Sequence, residues 1–311
     1  MRSETWIQRG FLACAMSIVA STVPAYASDN CVLTQVAKLP LSVSADGTVT
    51  VPMTIGGRVL TMAVDTGGTV SALTEPAVAQ LRLTPHNYNL RIWHSFDSEN
   101  IDRFVVADNV ELGGLKANSM EFGYLPAGRM PTGLDGAVGP SMLKNYDVEF
   151  DFANSVLSLY SRNHCPGQFS HWTDGEYAKI DFTSDQFGMI ELPVELDGKE
   201  FLGLVHTGYT NSRIALDFVT FKFGIDENDP NLVKRPGGNQ YVRYYSYRFK
   251  TLKIQGITIN NPQLELASYT GGVTLMKGEH PLVLGMDILR RLHLYIAYGD
   301  HVIYVTPATA H

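Results

Sequence analysis

Two short motifs in this sequence place side chains that can move protons directly after apolar segments. Asp65 opens an Asp-Thr-Gly triplet after the segment 60–64, and His206 opens a His-Thr-Gly triplet after the segment 201–205. An aspartate can take a proton from water, and a protonated imidazole can donate one or stabilise developing negative charge. If the fold brings Asp65 and His206 together, Asp65 can act as the base and His206 as the acid of a hydrolytic reaction.

The two triplets belong to a longer repeat. Residues 52–67 align without a gap with residues 193–208, at an offset of 141 positions. Two further matches follow in the same order, at offsets of 142 and 146. They pair 110–115 with 252–257, and 137–143 with 283–289. Matches in one order at a nearly constant offset indicate a duplicated structural unit.

The repeat predicts the domain organisation of the chain. We expect two homologous lobes, at residues 32–160 and 188–306. Residues 161–187 between them are polar and contain Cys-Pro-Gly, Thr-Asp-Gly and Ser-Asp. Such clusters of turn-forming residues are typical of a connecting segment, so we interpret this stretch as a linker.

The sequence pattern within each lobe favours β-structure. Short runs of alternating apolar and polar residues, such as 49–55, predict strands. The residue pairs 56–57 and 197–198 each separate two such runs, as in a β-hairpin. One short helix per lobe is expected, capped by Thr74 in the first lobe and lying over 215–223 in the second. Because long helical periods are few, we predict an all-β fold with short helices.

The doubled unit resembles the aspartic proteases, and each half is nearer to the retropepsin-like type than to the larger pepsins. Asp65, Thr66 and Gly67 match the catalytic triplet of that family. Residues 137–139 and 283–285 match the segment of two apolar residues and a glycine that frames the active-site loop in the family. The resemblance implies that Asp65 is a catalytic residue.

The resemblance covers about residues 40–306 and implies two β-barrel-like lobes with a cleft between them. It implies one flap per lobe, near residues 89–103 and 234–248. It also implies that a peptide or unfolded protein binds in the cleft as substrate, and that no cofactor takes part. Aromatic residues of the flap segments either pack locally or contact substrate, and they are Trp93, Phe96, Tyr241, Tyr244, Tyr245 and Tyr247.

The second triplet departs from the family pattern, which has an aspartate in each lobe. His206 stands at the position of the second aspartate, whereas Thr207 and Gly208 are retained. In the family the two threonines, here Thr66 and Thr207, brace the active-site loops against each other. The resemblance therefore implies an intact loop geometry around an altered catalytic pair.

Three hypotheses fit this departure. Asp65 and a charged His206 could form a catalytic pair of the histo-aspartic type, or the protein could bind extended peptides without cleaving them. In the third, two chains pair their Asp65 loops, as in the dimeric retropepsins. The third is disfavoured because two lobes of one chain meet at a far higher effective concentration, so we expect a monomer. A secreted β-sandwich binding module is an alternative from another class of protein.

The N-terminal residues predict export. A basic start and an apolar run at 11–23 lead to an Ala-x-Ala site at 25–27, which is typical of a signal peptide over residues 1–27. We therefore expect a periplasmic or secreted protein. Cys31 and Cys165 remain after cleavage, and an even cysteine count in an exported chain predicts a disulfide between them.

Composition and charge exclude several classes of function. The 311 residues are 45% hydrophobic and 18% charged, with a formal net charge of −7 and no basic run. A nucleic-acid partner or an anionic membrane surface is therefore not expected. No apolar run after the signal segment is long enough to span a bilayer. No Cys-x-x-Cys or His-x-x-x-His spacing predicts a metal site.

Overall fold

A computed structural model of the chain describes residues 32–88, 93–95, 99–163, 173, 175–269 and 280–309. The predicted signal peptide and both cysteines of the predicted disulfide, Cys31 and Cys165, lie outside these residues. Among the described residues, no helix has the length and apolarity needed to cross a membrane.

The first half of the described chain is built from strands and two short helices. The strands are β1 (Gln35–Pro40), β2 (Ser42–Val43), β3 (Val49–Ile55), β4 (Arg58–Val64), β5 (Ala72–Thr74), β6 (His86–Asn87), β7 (Trp93–Ser95), β8 (Glu99–Ile101), β9 (Arg103–Leu112), β10 (Leu115–Leu125), β11 (Gly136–Val138), β12 (Asp147–Asp151) and β13 (Val156–Tyr160). The helices are α1 (Glu75–Leu81) and α2 (Pro140–Leu143).

The second half follows the same plan. Its strands are β14 (Ala178–Asp181), β15 (Thr183–Ser184), β16 (Ile190–Leu196), β17 (Lys199–Val205), β18 (Arg213–Ala215), β19 (Val233–Lys234), β20 (Val242–Arg248), β21 (Thr251–Ile254), β22 (Ile257–Asn260), β23 (Gln263–Tyr269), β24 (Leu282–Leu284), β25 (Leu292–Ala297) and β26 (Val302–Pro307). Its helices are α3 (Leu216–Phe223) and α4 (Met286–Leu289).

The first lobe is a closed barrel. Strands β3, β4, β11, β5, β10 and β9 pair in that order, and β9 pairs back to β3. Alternate residues of β3 are buried in the barrel core, as the alternating sequence pattern predicts. The turn between β3 and β4 uses Gly56 and Gly57, both with positive φ, which glycine adopts without steric cost.

The second lobe repeats this order with β16, β17, β24, β18, β23 and β20, and β21 pairs with β16 on its other side. The long hairpin β9–β10 of the first lobe is divided here into two shorter ones, β20–β23 and β21–β22. The hairpin turn between β16 and β17 lies at Asp197 and Gly198, as predicted. The all-β fold with two barrel-like lobes and short helices is therefore confirmed.

A six-stranded sheet joins the lobes, in the order β1, β13, β12, β25, β26, β14. The two lobes meet in it through antiparallel pairing of β12 with β25. Strand β14 lies within residues 161–187, which the sequence analysis interpreted as a linker. Ile180 and Phe182 there are buried, and this two-residue alternation lets the segment join the sheet beside β26.

The helix predicted in the first lobe begins as expected, with Thr74 at its N-cap. The Thr74 side chain makes no capping hydrogen bond to the helix. Its hydroxyl donates instead to the carbonyl oxygen of Asp135 at 3.1 Å. Thr74 therefore ties the start of α1 to the segment before β11. The counterpart helix α3 ends at Gly224, which has a left-handed conformation.

Candidate active site

The two predicted motifs lie at equivalent strand ends in the two barrels. Asp65 follows β4, and its N–H donates to the carbonyl oxygen of Val138 at 3.0 Å. His206 follows β17, and its N–H donates to the carbonyl oxygen of Leu284 at 3.0 Å. Each chemistry-bearing residue is thus fixed by its own strand and by a parallel neighbour, β11 or β24.

Thr66 and Thr207 lock the two loops together through four hydrogen bonds. The N–H of each threonine donates to the hydroxyl of the other, at 3.1 Å in both directions. The hydroxyl of Thr66 donates to the carbonyl oxygen of Val205 at 2.8 Å, and that of Thr207 donates to the carbonyl oxygen of Val64 at 2.6 Å. Both side chains are buried. The bracing of the loops, which the sequence analysis took from the family resemblance, is present in this chain.

Asp65 and His206 face each other inside this brace. The distance from Asp65 Oδ1 to His206 Nδ1 is 3.0 Å, and the residues are 1% and 5% exposed. The same carboxylate oxygen accepts the N–H groups of Gly67 and Gly68, each at 3.0 Å. One oxygen of Asp65 therefore receives two backbone donors and lies in contact with the imidazole.

The surroundings of Asp65 favour its ionised form. Burial alone would raise the pKa of this carboxyl, but the charge and hydrogen bond of His206 and the N–H groups of Gly67 and Gly68 outweigh it. The pKa of Asp65 is consequently lowered from its ordinary value. The carboxylate is thus held in the ionised form that a general base requires.

The imidazole ring of His206 is packed between glycines and a tyrosine. A Cβ atom at Gly67 would overlap the ring, and one at Gly208 would lie 3.0 Å from its Cε1 atom. Neither glycine has positive φ, so both are required for close approach of side chains and not for backbone conformation. The ring of Tyr209 meets the imidazole edge-on, with centroids 4.4 Å apart.

The 3.0 Å distance between His206 Nδ1 and Asp65 Oδ1 is that of a hydrogen bond, so one of the two atoms must carry a proton. The N–H of Gly208 points at the same Nδ1 from 3.2 Å. A protonated Nδ1 donates to the carboxylate, whereas an unprotonated Nδ1 accepts from Gly208 and requires the proton on Asp65. The lowered pKa of Asp65 corresponds to the first arrangement, in which the carboxylate is ionised and accepts a hydrogen bond from Nδ1–H.

A second pair of braces, which the sequence analysis did not single out, supports the loops from behind. The hydroxyl of Ser71 accepts the N–H of Gly139 at 3.0 Å, and that of Ser212 accepts the N–H of Gly285 at 2.9 Å. Ser212 also donates to Asp287 Oδ1 at 2.6 Å. The two serines are 141 positions apart, like the two triplets, so extending the repeat alignment past the glycines would have found them.

The sequence left open whether the aromatic residues of the second predicted flap pack locally or are available to contact substrate, and the structure shows some of each. Tyr245 and Tyr247 pack into the barrel core, and Tyr241 is exposed. Tyr244 lies against the guanidinium of Arg213, with Cζ 4.6 Å from the ring centroid. In the first flap, β7 and β8 form a hairpin, whereas the side chain of Trp93 and all of Phe96 lie outside the described residues.

All six residues predicted for the site come together in space: Asp65, Thr66, Gly67, His206, Thr207 and Gly208. Asp135 accepts the N–H of Thr61 in β4, and Asp287 accepts the N–H of Ser212. Within the described part of the chain, no group of three or more His, Cys, Asp or Glu side chains is arranged to hold a metal ion.

Comparison with known proteins agrees with this geometry. The family described as Aspartyl protease matches residues 51–137, which include the Asp65 triplet and end in β11. The crystal structure of an aspartic proteinase from Irpex lacteus is similar in fold, with 14% sequence identity and a TM-score of 0.53. The match covers 88% of this chain and 98% of that chain. Together these matches support an aspartic-protease-like family and fold.

A second solved structure of similar shape is conglutin gamma, a unique basic 7S globulin from lupine seeds. It has 10% sequence identity, a TM-score of 0.49, and coverage of 90% of this chain and 96% of that chain. No curated protein sequence matches the chain significantly.

Proposed function

We propose that this protein is an exported aspartic-type peptidase in which Asp65 and His206 take the place of two catalytic aspartates. The observation that carries the proposal is the 3.0 Å contact between Asp65 Oδ1 and His206 Nδ1, at the braced junction of the two lobes. A pair of unlike titratable groups in a buried, rigid setting is typical of acid–base sites. The substrate class is a peptide or an unfolded protein.

The mechanism divides the proton movements between the two side chains. Ionised Asp65 takes a proton from water as the water oxygen bonds to the peptide carbonyl carbon. The carbonyl oxygen becomes an oxyanion, and the imidazolium of His206 stabilises it through Nε2–H. When the C–N bond breaks, the proton held by Asp65 passes to the leaving nitrogen. Both side chains then return to their starting state.

The positive charge of His206 has a second use in this scheme. In a pair of aspartates, one carboxyl stays protonated because two like charges cannot both ionise at short distance. In this chain the opposite charges of Asp65 and His206 stabilise each other, so the carboxylate is ionised without a shared proton between two acids. The imidazolium then supplies the electrophile that the protonated acid supplies in the family.

Binding of extended peptides without cleavage is the second candidate function. The observation in its favour is that the two side chains contact each other and are almost fully buried. Nδ1 of His206 lies against Asp65, so it is not open to a substrate. A site that holds a peptide near such a pair needs no proton transfer. The two candidates therefore share the peptide-binding surface and differ only in turnover.

Two earlier alternatives lose support. Asp65 faces His206 of the same chain, so the pair does not need a second chain to bring another Asp65 loop to it. The two barrel-like lobes joined by a six-stranded sheet are not the face-to-face sheets of a β-sandwich. The binding module of β-sandwich type was therefore a wrong alternative.

Replacing His206 tests the proposed role of the imidazole. We expect wild type to cut a reduced, unfolded protein substrate and His206→Gln, which keeps a polar side chain without a titratable group, to lose at least about a hundredfold in kcat. Exposed His86→Gln is the matched control and should cut at the wild-type rate. Equal rates for wild type and His206→Gln would contradict the proposed role.

Export and the disulfide are proposed from the sequence. We propose that the chain is cut after residue 27 and that Cys31 then pairs with Cys165. Sequencing the N-terminus of protein recovered from the periplasm or medium should begin at residue 28. Non-reducing mass spectrometry of proteolytic fragments should recover the two cysteines in one cross-linked peptide. An uncut N-terminus or two free thiols would contradict these proposals.

A further inference from the structure

The two lobes present different side chains next to the active-site loops. Positions 141 apart are equivalent in the repeat, so Gly68 corresponds to Tyr209 and Ala72 corresponds to Arg213. Ala72 belongs to a small apolar cluster in the first lobe. At the same place the second lobe carries an aromatic ring and a guanidinium. The second lobe therefore borders His206 with a polar wall that the first lobe lacks.

This wall is a stack in which the guanidinium of Arg213 contacts two tyrosine rings. Arg213 lies between two tyrosines, with Cζ 4.9 Å from the ring centroid of Tyr209 and 4.6 Å from that of Tyr244. Its Nε donates to Glu265 Oε1 at 2.6 Å. The stack begins at His206, whose ring touches Tyr209. A guanidinium held by two rings and a carboxylate is fixed in place, and the charge of Glu265 is balanced by Arg213.

A polar cavity of about 310 Å³ opens beside the stack and shares Glu265 with it. Three of its lining side chains, those of Asn211, Ser246 and Gln263, carry hydrogen-bond donors. Arg235 adds an exposed guanidinium from the flap segment. Among the described residues, Arg235 forms no ion pair. The cavity is therefore rich in donors and has one guanidinium available for a ligand.

The two acids of the cavity are already engaged. Glu265 is paired with Arg213. Asp287 Oδ1 accepts the N–H and hydroxyl of Ser212 and the N–H of Ile288. A cationic ligand would have to compete with these bonds, whereas an anionic one would meet the guanidinium of Arg235 and neutral donors. The hydrogen-bond donors that remain open in the cavity, on Arg235 and the neutral side chains, thus favour an anionic group over a cationic one.

We propose that this cavity is a subsite that binds a carboxylate of the bound peptide through Arg235, Asn211 and Gln263. The inference rests on the proposed function in that it assumes a peptide lying along the active-site loops. Because the cavity adjoins the stack that begins at His206, we expect the carboxylate to bind at one position of the peptide relative to the cut bond. It can belong to an acidic side chain or to the C-terminus of the peptide.

Peptide binding tests this inference separately from cleavage. The experiment uses the Asp65→Asn variant and short peptides in matched pairs, with Glu or Gln scanned through each position and all C-termini amidated. A second set of pairs differs only in a free or amidated C-terminus. At one position, or at the C-terminus, the carboxylate form should bind about tenfold more tightly than its amide, as expected for a charge-assisted hydrogen bond.

Variants of Arg235 identify the group responsible. Arg235→Gln in the same background should abolish the carboxylate preference, and Arg235→Lys should keep part of it. Arg58→Gln, at the exposed start of β4 in the first lobe, is the matched control and should keep the full preference. Binding that is equal for both members of every pair, a preference for Lys-containing peptides, or no peptide binding would each overturn the inference.

The outcomes separate this inference from the proposed function. If Arg235-dependent carboxylate binding is found while wild type cuts none of the same peptides, the peptidase proposal fails and the subsite stands. If wild type cuts the peptides with no preference for a carboxylate, the subsite fails and the peptidase proposal stands.

Discussion

At the scale of single residues, an aspartate and a histidine face each other where the two active-site loops meet. Asp65 is almost fully buried, and its ionised form is stabilised by His206 and by two backbone N–H groups. A buried charge is tolerated only when it is paired and hydrogen-bonded in this way. The pair is therefore both the proposed chemical centre and a contributor to stability that depends on pH.

Asp65→Asn tests that dependence. Because the pKa of Asp65 is lowered on folding, its ionised form stabilises the protein above the ordinary carboxyl pKa of about 4, and this contribution is lost as the pH falls through the lower folded-state value. We expect the difference in unfolding free energy between wild type and Asp65→Asn to be largest above about pH 4 and to shrink below it. Urea unfolding across pH measures the difference.

The exposed Asp300→Asn variant is the control for that series. It should remain within about 0.5 kcal/mol of wild type throughout, as surface substitutions usually do. A wild-type advantage over Asp65→Asn that grows as the pH falls would contradict the assignment of a stabilising ionised Asp65.

The threonine brace gives a second prediction at this scale. Thr207→Val removes the hydroxyl that accepts the N–H of Thr66 and donates to Val64 O, so two buried backbone groups lose their partner. We expect a loss of about 1–3 kcal/mol in unfolding free energy, measured by chemical denaturation. Thr207→Ser keeps the hydroxyl and should lose less than half as much. Equal losses in the two variants would assign the effect to packing instead of hydrogen bonding.

At the scale of elements, each active-site loop crosses a chain segment of its own lobe. In the first lobe this segment joins β11 to α2, and in the second it joins β24 to α4. Gly139 and Gly285 lie at these crossings, where an added Cβ would lie 2.7 Å or less from the backbone of the crossing loop. Ser71 and Ser212 then bond across the same crossings. Contacts within each lobe therefore position its loop, and the hydrogen bonds of Thr66 and Thr207 hold the two loops together.

Gly67→Ala tests how closely the two loops approach. The new methyl group would overlap the imidazole of His206, so the ring must shift away from Asp65. We expect cleavage of a peptide substrate to fall at least about a hundredfold, as for other misplaced catalytic groups. Gly175→Ala adds a methyl that, among the described residues, meets only Thr173 Oγ1 at 3.4 Å, and it should cut at the wild-type rate. Full activity of Gly67→Ala would show that this contact is not needed.

The sequence predicted the parts of the site that the duplication repeats. Asp65 and His206 could be paired because the same residues flank both, and the hairpin turns could be placed from their glycines. Strand β14 was missed because four residues of alternation lie among turn-forming residues, where a local pattern cannot show that β26 offers an edge to pair with. The contacts of Arg213 with Tyr209 and Tyr244 were beyond prediction because three separate elements create them.

At the scale of the whole molecule, a buried polar layer on the six-stranded sheet links the lobes. His293 of β25 lies 2.8 Å from Glu149 of β12 through Nε2, and its Nδ1 is 3.8 Å from Asp151. Tyr160 donates to the other oxygen of Glu149 at 2.7 Å. These groups bridge strands contributed by different lobes, so they fix how the lobes and their active-site loops are aligned.

Breaking this bridge should destabilise the molecule strongly. Glu149→Ala leaves His293 and Tyr160 buried without the carboxylate, and the expected loss is about 3–5 kcal/mol in unfolding free energy. Lys253→Ala, which breaks a partly exposed pair with Glu195, is the control and should cost about 0–1 kcal/mol. Chemical denaturation compares the two. A loss for Glu149→Ala no larger than for the control would contradict a structural role for the bridge.

The central claim, that Asp65 and His206 cleave peptides together, is tested most directly by comparing wild type with Asp65→Ala on a mixed peptide library, with products read by mass spectrometry. Wild type should produce a defined set of new termini at mildly acidic pH, and Asp65→Ala should produce none. His206→Asp, which restores two acids on the retained Thr207 and Gly208 frame, should cut at lower pH than wild type. Identical product profiles from wild type and Asp65→Ala would contradict the claim.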